Sequence, residues 1–142
     1  MKIEIVTEAA DELCEAFQRL VPQLTTNNPP PSLDDLTALV RDSSSTLMIA
    51  RSERGEIVGA LTLTVYRVPT GIRSIIEDVV VDSSARGGGI GEALMKRAIE
   101  IAREKGADNI SLTSNPMREA ANKLYLRMGF KKRETNAYQM KF

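Results

Sequence analysis

Apolar and polar positions alternate over Lys2-Ile3-Glu4-Ile5-Val6, which predicts a strand over residues 2–6. From Ala9 the period lengthens. Ala10, Leu13, Cys14, Phe17 and Leu20 fall on one side of a helix, with Thr7 placed to cap its entry. Residues 22–31 hold Pro22, the polar run Thr25-Thr26-Asn27-Asn28 and three consecutive prolines, a composition that sustains neither a helix nor an interior strand and predicts a loop. Ser32 then stands as cap of a second helix carrying Leu33, Leu36, Leu39 and Val40 and ending near Asp42. Two β-rich runs follow, 47–51 and 57–66, separated by Glu53-Arg54-Gly55-Glu56, and they read as an antiparallel hairpin. After the turn Val68-Pro69-Thr70-Gly71, the β-branched run 75–81 predicts a central strand in which the acids Glu77 and Asp78 are out of character.

A glycine cluster opens the next helix, whose apolar positions Ala93, Leu94, Ala98, Ile101 and Ala102 run to a stop at Gly106. Residues 109–113 predict a short strand, 117–128 a helix closed by Gly129, and 130–142 a terminal pair of short strands. Strands interleaved with helices predict an α/β (α+β) fold. A length of 142 residues suits one domain over 1–142. No apolar run approaches the length a bilayer requires, and the first residues lack the apolar core of an export signal, so a soluble cytoplasmic protein is expected.

Charge and rare residues narrow the chemistry. Nineteen basic and nineteen acidic side chains cancel, so no global field draws the chain onto nucleic acid or an anionic membrane. The single cysteine, Cys14, excludes disulfides and cysteine zinc clusters and reads as a core thiol. Histidine is absent, which removes the commonest general base and the serine triad and leaves proton transfer to Glu, Asp, Tyr or Lys. No metal site is expected.

The sequence Arg86-Gly87-Gly88-Gly89-Ile90-Gly91 lies between a strand and a helix, the place where free backbone N–H groups receive a phosphate. Glycines let the backbone take unusual φ values and approach the oxygens, and Arg86 adds a forked cation. A nucleotide-triphosphate loop would end in Gly-Lys-Ser/Thr, where this chain has Gly91-Glu92-Ala93. A dinucleotide fingerprint counted from Gly87 would need a small residue at Glu92 and normally follows the first strand of its fold. Both fail. The competing bland reading is a flexible turn with a helix cap.

The cluster resembles the pyrophosphate loop of the GNAT superfamily of N-acetyltransferases, Arg/Gln-x-x-Gly-x-Gly/Ala, matched by Arg86, Gly89 and Gly91. Val79-Val80-Val81-Asp82 before the loop and Ala121-Asn122-Lys123-Leu124-Tyr125-Leu126-Arg127-Met128-Gly129-Phe130 after it are also similar to that family in order and spacing. The resemblance covers residues 75–132. It implies a mixed central sheet of about six or seven strands flanked by about four helices, with parallel strands splayed at the cofactor site. It further implies that acetyl-CoA is held by the backbone of Val79, Val80 and Val81 along its pantetheine arm, and at its pyrophosphate by Arg86, Gly87, Gly88, Gly89, Ile90, Gly91 and Glu92.

The resemblance implies direct transfer of an acetyl group to the primary amine of a small molecule or peptide. Glu77 resembles the base of the polyamine-type branch, and Tyr125 the acid that protonates the leaving sulfur. A structural ion pair is the rival reading for Glu77, and core packing beside Leu124 and Met128 is the rival for Tyr125. Many members bind pantetheine through an asparagine at the place of Arg118; Asn115 and Asn122 are the substitutes here. A non-catalytic acyl-CoA sensor is the alternative function, and the terminal strands offer an edge for pairing in a homodimer.

Overall fold

A computed structural model describes residues 1–142 and divides the chain into two compact units, Met1–Leu112 and Thr113–Phe142. The first contains all the strands: β1 (Lys2–Ile5), β2 (Ser45–Arg51), β3 (Ile57–Val68), β4 (Gly71–Val81) and β5 (Asn109–Ser111). They form one five-stranded sheet in sequence order. β1 to β4 are antiparallel neighbours, and β5 returns parallel to β4. The fold class agrees with the sequence reading, but the sheet has five strands and not six or seven, because 130–142 forms no ladder. Lys131 to Glu134 remain solvated there, and Tyr138, Met140 and Phe142 alternate with nothing to cover them.

Helices α1 (Asp11–Leu24) and α2 (Leu33–Arg41) cover one face of the sheet. Leu13, Phe17 and Leu20 of α1 and Leu36 of α2 pack on Leu47, Ile49, Ile57, Ala60 and Val80. Each fully buried leucine of this set contributes about 1.5–3 kcal/mol. Cys14 is half-buried at the margin, its thiol 3.8 Å from the Pro31 carbonyl, so it is less enclosed than a core thiol. The other face is covered by α3 (Ile90–Glu104), which buries Ile90, Leu94, Met95, Ala98, Ile101 and Ala102 at helical spacing. With helices on both faces, β2 and the start of β3 are buried on both sides and lose the alternation of a half-exposed strand.

Local signals worked where they were short-range. Ser32 caps α2 in a reciprocal box with Asp35, each side chain taking the other's backbone N–H. Thr7 does not cap α1: Ala10 is the N-cap, without a side-chain bond, and Asp11 and Glu12 supply negative charge to the first turn instead. Pro22 lies inside α1 and not in the loop. It forfeits one backbone bond near the helix end, which the buried α1 face tolerates. β4 starts four residues early because Val68 pairs with Gly71 across a tight Pro69-Thr70 turn.

Gly59 is required by packing. A Cβ there would stand 3.2 Å from the Val80 carbonyl oxygen and 3.2–3.3 Å from Ile90 and Leu94, so its absence lets the first turn of α3 lie close on β3. Gly59→Ala is expected to cost about 1–3 kcal/mol by overpacking, read from urea denaturation, because the carbonyl cannot swing aside as a side chain can.

In the second unit, α4 (Glu119–Arg127) is followed by Gly129 at φ 101°. The Phe130 N–H bonds the Tyr125 carbonyl at 3.0 Å, and the Gly129 N–H bonds Leu126 at 3.1 Å, a Schellman cap. The Tyr125 and Phe130 rings meet edge-on with centroids 6.1 Å apart, the apolar contact that accompanies such a cap. Gly106 closes α3 in the same way at φ 78°, as its position in the sequence predicts.

Candidate active site

The site in the first unit is built on β4. Its parallel pairing with β5 ends at Ile75, and Ile76 to Val81 run on without a partner on that edge. One irregularity sets what this stretch presents. Thr62 pairs with Glu77 and Ala60 with Val80, so Asp78 and Val79 together oppose Leu61, and Asp78 takes φ 52°. This is a β-bulge with a non-glycine residue in the left-handed region. Ala60 and Val80 face α1 and α2, so the register puts Glu77, beside Thr62, on that same face.

The Glu77 side chain makes no hydrogen bond or ion pair, which removes the structural ion pair as its reading. It is exposed as a residue, more open than a half-buried carboxylate. Even so, partial desolvation against the sheet, and secondarily the negative charge of Asp78, hold its pKa above the ordinary carboxylate value. A carboxylate with a raised pKa and no partner is chemically available as a proton acceptor.

Val80 is buried toward the helices, while Val79 and Val81 are partly exposed. The Asp82 N–H bonds the Val58 carbonyl at 2.8 Å, so by alternation the backbone groups of Val81 point to the open edge. That Val81 carbonyl accepts the Arg86 Nε–H at 3.1 Å. One expected acceptor of an incoming amide therefore already has a donor within the chain, and Arg86 is folded back over the strand end by it.

The chain then makes a 3₁₀ turn over Ser83–Ala85 and enters the glycines. Gly87 has φ 86°; Gly89, at φ 79°, is the N-cap of α3 and has no side chain to cap with. The first N–H groups of a long helix are thus left without a side-chain acceptor. A Cβ at Gly87 or Gly89 would meet nothing within 4 Å, so backbone φ, and not crowding, demands glycine there, and the space over the loop is open. These features fit an anionic diphosphate laid across residues 86–92. Glu92 is in the first turn with its carboxylate 3.7 Å from Lys96, so only its backbone N–H suits an anion.

Sequence reasoning did not single out what anchors the loop. Asp82 is buried and caps the 3₁₀ turn: one carboxylate oxygen accepts the Ser84 N–H at 3.1 Å and its hydroxyl at 3.0 Å, the other the Arg19 Nε–H at 2.9 Å. The Ser84 N–H foremost, then Arg19, hold its pKa below the usual carboxylate range against the opposing effect of burial. The capping pattern Asp82-Ser83-Ser84 was visible locally; the partner on α1, 63 positions away, was not.

The remaining candidates lie in the second unit. Asn115 accepts the Met117 N–H through its side chain at 2.9 Å, and the Asn122 amide donates to the Asn115 carbonyl at 3.1 Å, so the two asparagines hold each other and the entry to α4. Tyr125 is buried, with its ring against Phe130.

Residues 9–130 match the model of the acetyltransferase (GNAT) family. The chain is 37% identical over 92 residues to a glucosamine 6-phosphate N-acetyltransferase of Trypanosoma brucei brucei, covering 63% of this chain and 60% of that protein. It is 34% identical over 91 residues to a streptothricin acetyltransferase of Streptomyces lavendulae, covering 63% of this chain and 46% of that protein. It thus spans between about half and three fifths of the length of these curated relatives. The crystal structure of a Trypanosoma brucei acetyltransferase superposes with a TM-score of 0.79 at 27% identity, over 98% of both chains. With a family match over nearly the whole chain, and with the open strand edge and uncapped glycine loop in place, this protein belongs to the GNAT family of acetyltransferases.

Proposed function

We propose that this chain, acting as one domain, moves an acetyl group from acetyl-CoA to a primary amine by direct transfer in a ternary complex. The observation that carries the reading is the continuity of β4 with the loop: a strand edge left open after Ile75 runs into a helix start that has no side-chain cap. Acetyl-CoA brings the acyl group as a thioester. The open edge at Val79 would pair with an amide-bearing arm as an added strand, and the N–H groups of Gly89 to Glu92 would take the diphosphate. Glu77 would accept the proton that the amine loses as the new C–N bond forms, and Tyr125, assigned from the family pattern, would give its phenolic proton to the departing sulfur. The exposed acids Glu77 and Asp78 favour a cationic acceptor.

The relatives' own activities suggest the first acceptors to try: glucosamine 6-phosphate, streptothricin and the aminoglycoside sisomicin, the last bound to a fold neighbour. The test combines calorimetric binding of acetyl-CoA with release of free thiol over a panel of amines including polyamines and peptides. Saturable binding with amine-dependent release supports the proposal. Binding without release across the panel would make the chain an acyl-CoA sensor, and absence of binding would defeat both.

Arg86→Ala is expected to weaken acetyl-CoA binding by about tenfold or less, as it removes one charge and leaves the helix N–H groups in place. Titrations at low and high salt should show a shallower salt dependence than the parent.

A further inference from the structure

The helix that caps the sheet beside the loop does more than fill the core. Arg19 on α1 donates from Nε to Asp82 at 2.9 Å and from its terminal nitrogen to the Ile57 carbonyl at 2.5 Å. One turn on, the Gln23 side-chain Oε1 accepts the Ser83 N–H at 2.8 Å, while its Nε2 donates to the Arg19 backbone carbonyl at 3.2 Å and fixes the side chain. Three side-chain bonds from one helix thus converge on the first residues after β4 and on the strand start beside them. Downstream lie only the short 3₁₀ turn and then Arg86.

We propose that Arg19 and Gln23 are positioning residues for the diphosphate loop, acting through Asp82 and Ser83 without touching the ligand. The proposal rests on the cofactor reading given above. Asp82 is the hinge of the argument: its two oxygens face opposite duties, one organising the turn and one held by α1, so the direction of the carboxylate is set by Arg19. Without Arg19 the carboxylate keeps only its Ser84 bonds, so the turn it caps loses one of its two ties to α1 and the loop that follows Ser84 shifts with it. An anion site made of backbone N–H groups depends on their convergence, so a small rotation weakens it without unfolding the sheet. Because α1 itself packs on the face that holds Glu77, the same contacts tie that face to the loop.

A double-mutant cycle on acetyl-CoA affinity tests this. Arg19→Met and Asp82→Asn are each expected to raise Kd about tenfold, the loss of one charge-assisted hydrogen bond, and the double variant to rise about tenfold and not a hundredfold. Gln23→Leu, at a half-buried position, should raise Kd about threefold on the same scale, with urea denaturation showing that the fold is kept. Arg19→Lys, which keeps the charge opposite Asp82, should recover part of the loss. Turnover at saturating acetyl-CoA should stay within about twofold of the parent, so the effect falls on KM. An unchanged Kd in folded Arg19→Met and Gln23→Leu chains, or fully multiplicative losses in the double variant, would overturn the proposal. If the parent itself binds no acetyl-CoA, the cofactor reading falls and the positioning role with it.

Discussion

With valine at both Gly89 and Gly91, acetyl-CoA binding is expected to vanish while the chain still folds. Gly89 sits at φ 79°, where a β-branched residue is strained by about 1–2 kcal/mol or more. A Cβ there meets no neighbour, so the strain relaxes by turning the loop backbone and not by displacing the core. The turned backbone no longer aims its N–H groups at one point, and a new side chain stands in the space over the helix start. Calorimetry would show no heat of binding, and urea denaturation would show a cooperative transition reduced by no more than about 2 kcal/mol, within the usual range for one strained position. A folded variant with the parent's affinity would remove the loop assignment.

The second large effect is a contrast between Glu77 and Tyr125. Glu77→Gln should depress turnover by about 10²–10⁴ at neutral pH and recover partly as pH rises, since an amine deprotonated in solution no longer needs a base. Because the Glu77 pKa is raised and the base must be ionised, kcat/KM of the parent should fall as pH drops through a value above 4.5; the Gln variant should lack that limb. The stability sign runs the other way. A raised carboxyl pKa stabilises the fold below the ordinary value and withdraws that stabilisation as pH rises through the shifted one, so at pH 7 the Gln chain should be no less stable than the parent. Tyr125→Phe keeps the ring against Phe130 and the backbone carbonyl of the cap, so stability and cofactor affinity should hold. Turnover should fall by about 10²–10⁴ if the phenolic proton is used. Parent rates in both folded variants across the pH range would refute the proposed roles.

The Tyr125 contrast matters because the structure gives its motif a second explanation. In Tyr-x-x-x-Gly-Phe, Gly129 is the left-handed residue, Phe130 supplies the returning N–H, and Tyr125 supplies both the accepting carbonyl and the apolar contact. The Gly-Phe ending is therefore explained by helix capping alone, and only the hydroxyl is left for chemistry.

What could be read from the sequence was what neighbouring residues decide. The α2 cap at Ser32, the stops at Gly106 and Gly129, and the strand, glycine and helix order at 79–104 depend on contacts within a few positions. The errors fall where distant parts of the chain decide. Pro22 stays helical because the α1 face is buried, β4 begins at Gly71 because β3 pairs with it there, and Lys131 to Phe142 find no ladder. Within the candidate site, the residues on β4 and the loop announced themselves by type, whereas Arg19 looked like any solvated arginine on a helix until Asp82 came to meet it.

The Asp78 bulge has a consequence for how the chain can change over generations. Substitutions at Glu77 or Val80 alter one side chain each, but a single-codon deletion between them would shift the phase of the strand by half a period. Residues up to Glu77 and residues from Val80 currently show the same face to the helices despite being three apart, and loss of one residue would send one of these groups to the opposite side. Loop insertions elsewhere add length; here, length is orientation, and the segment 77–80 should tolerate changes of residue type far better than changes of residue number.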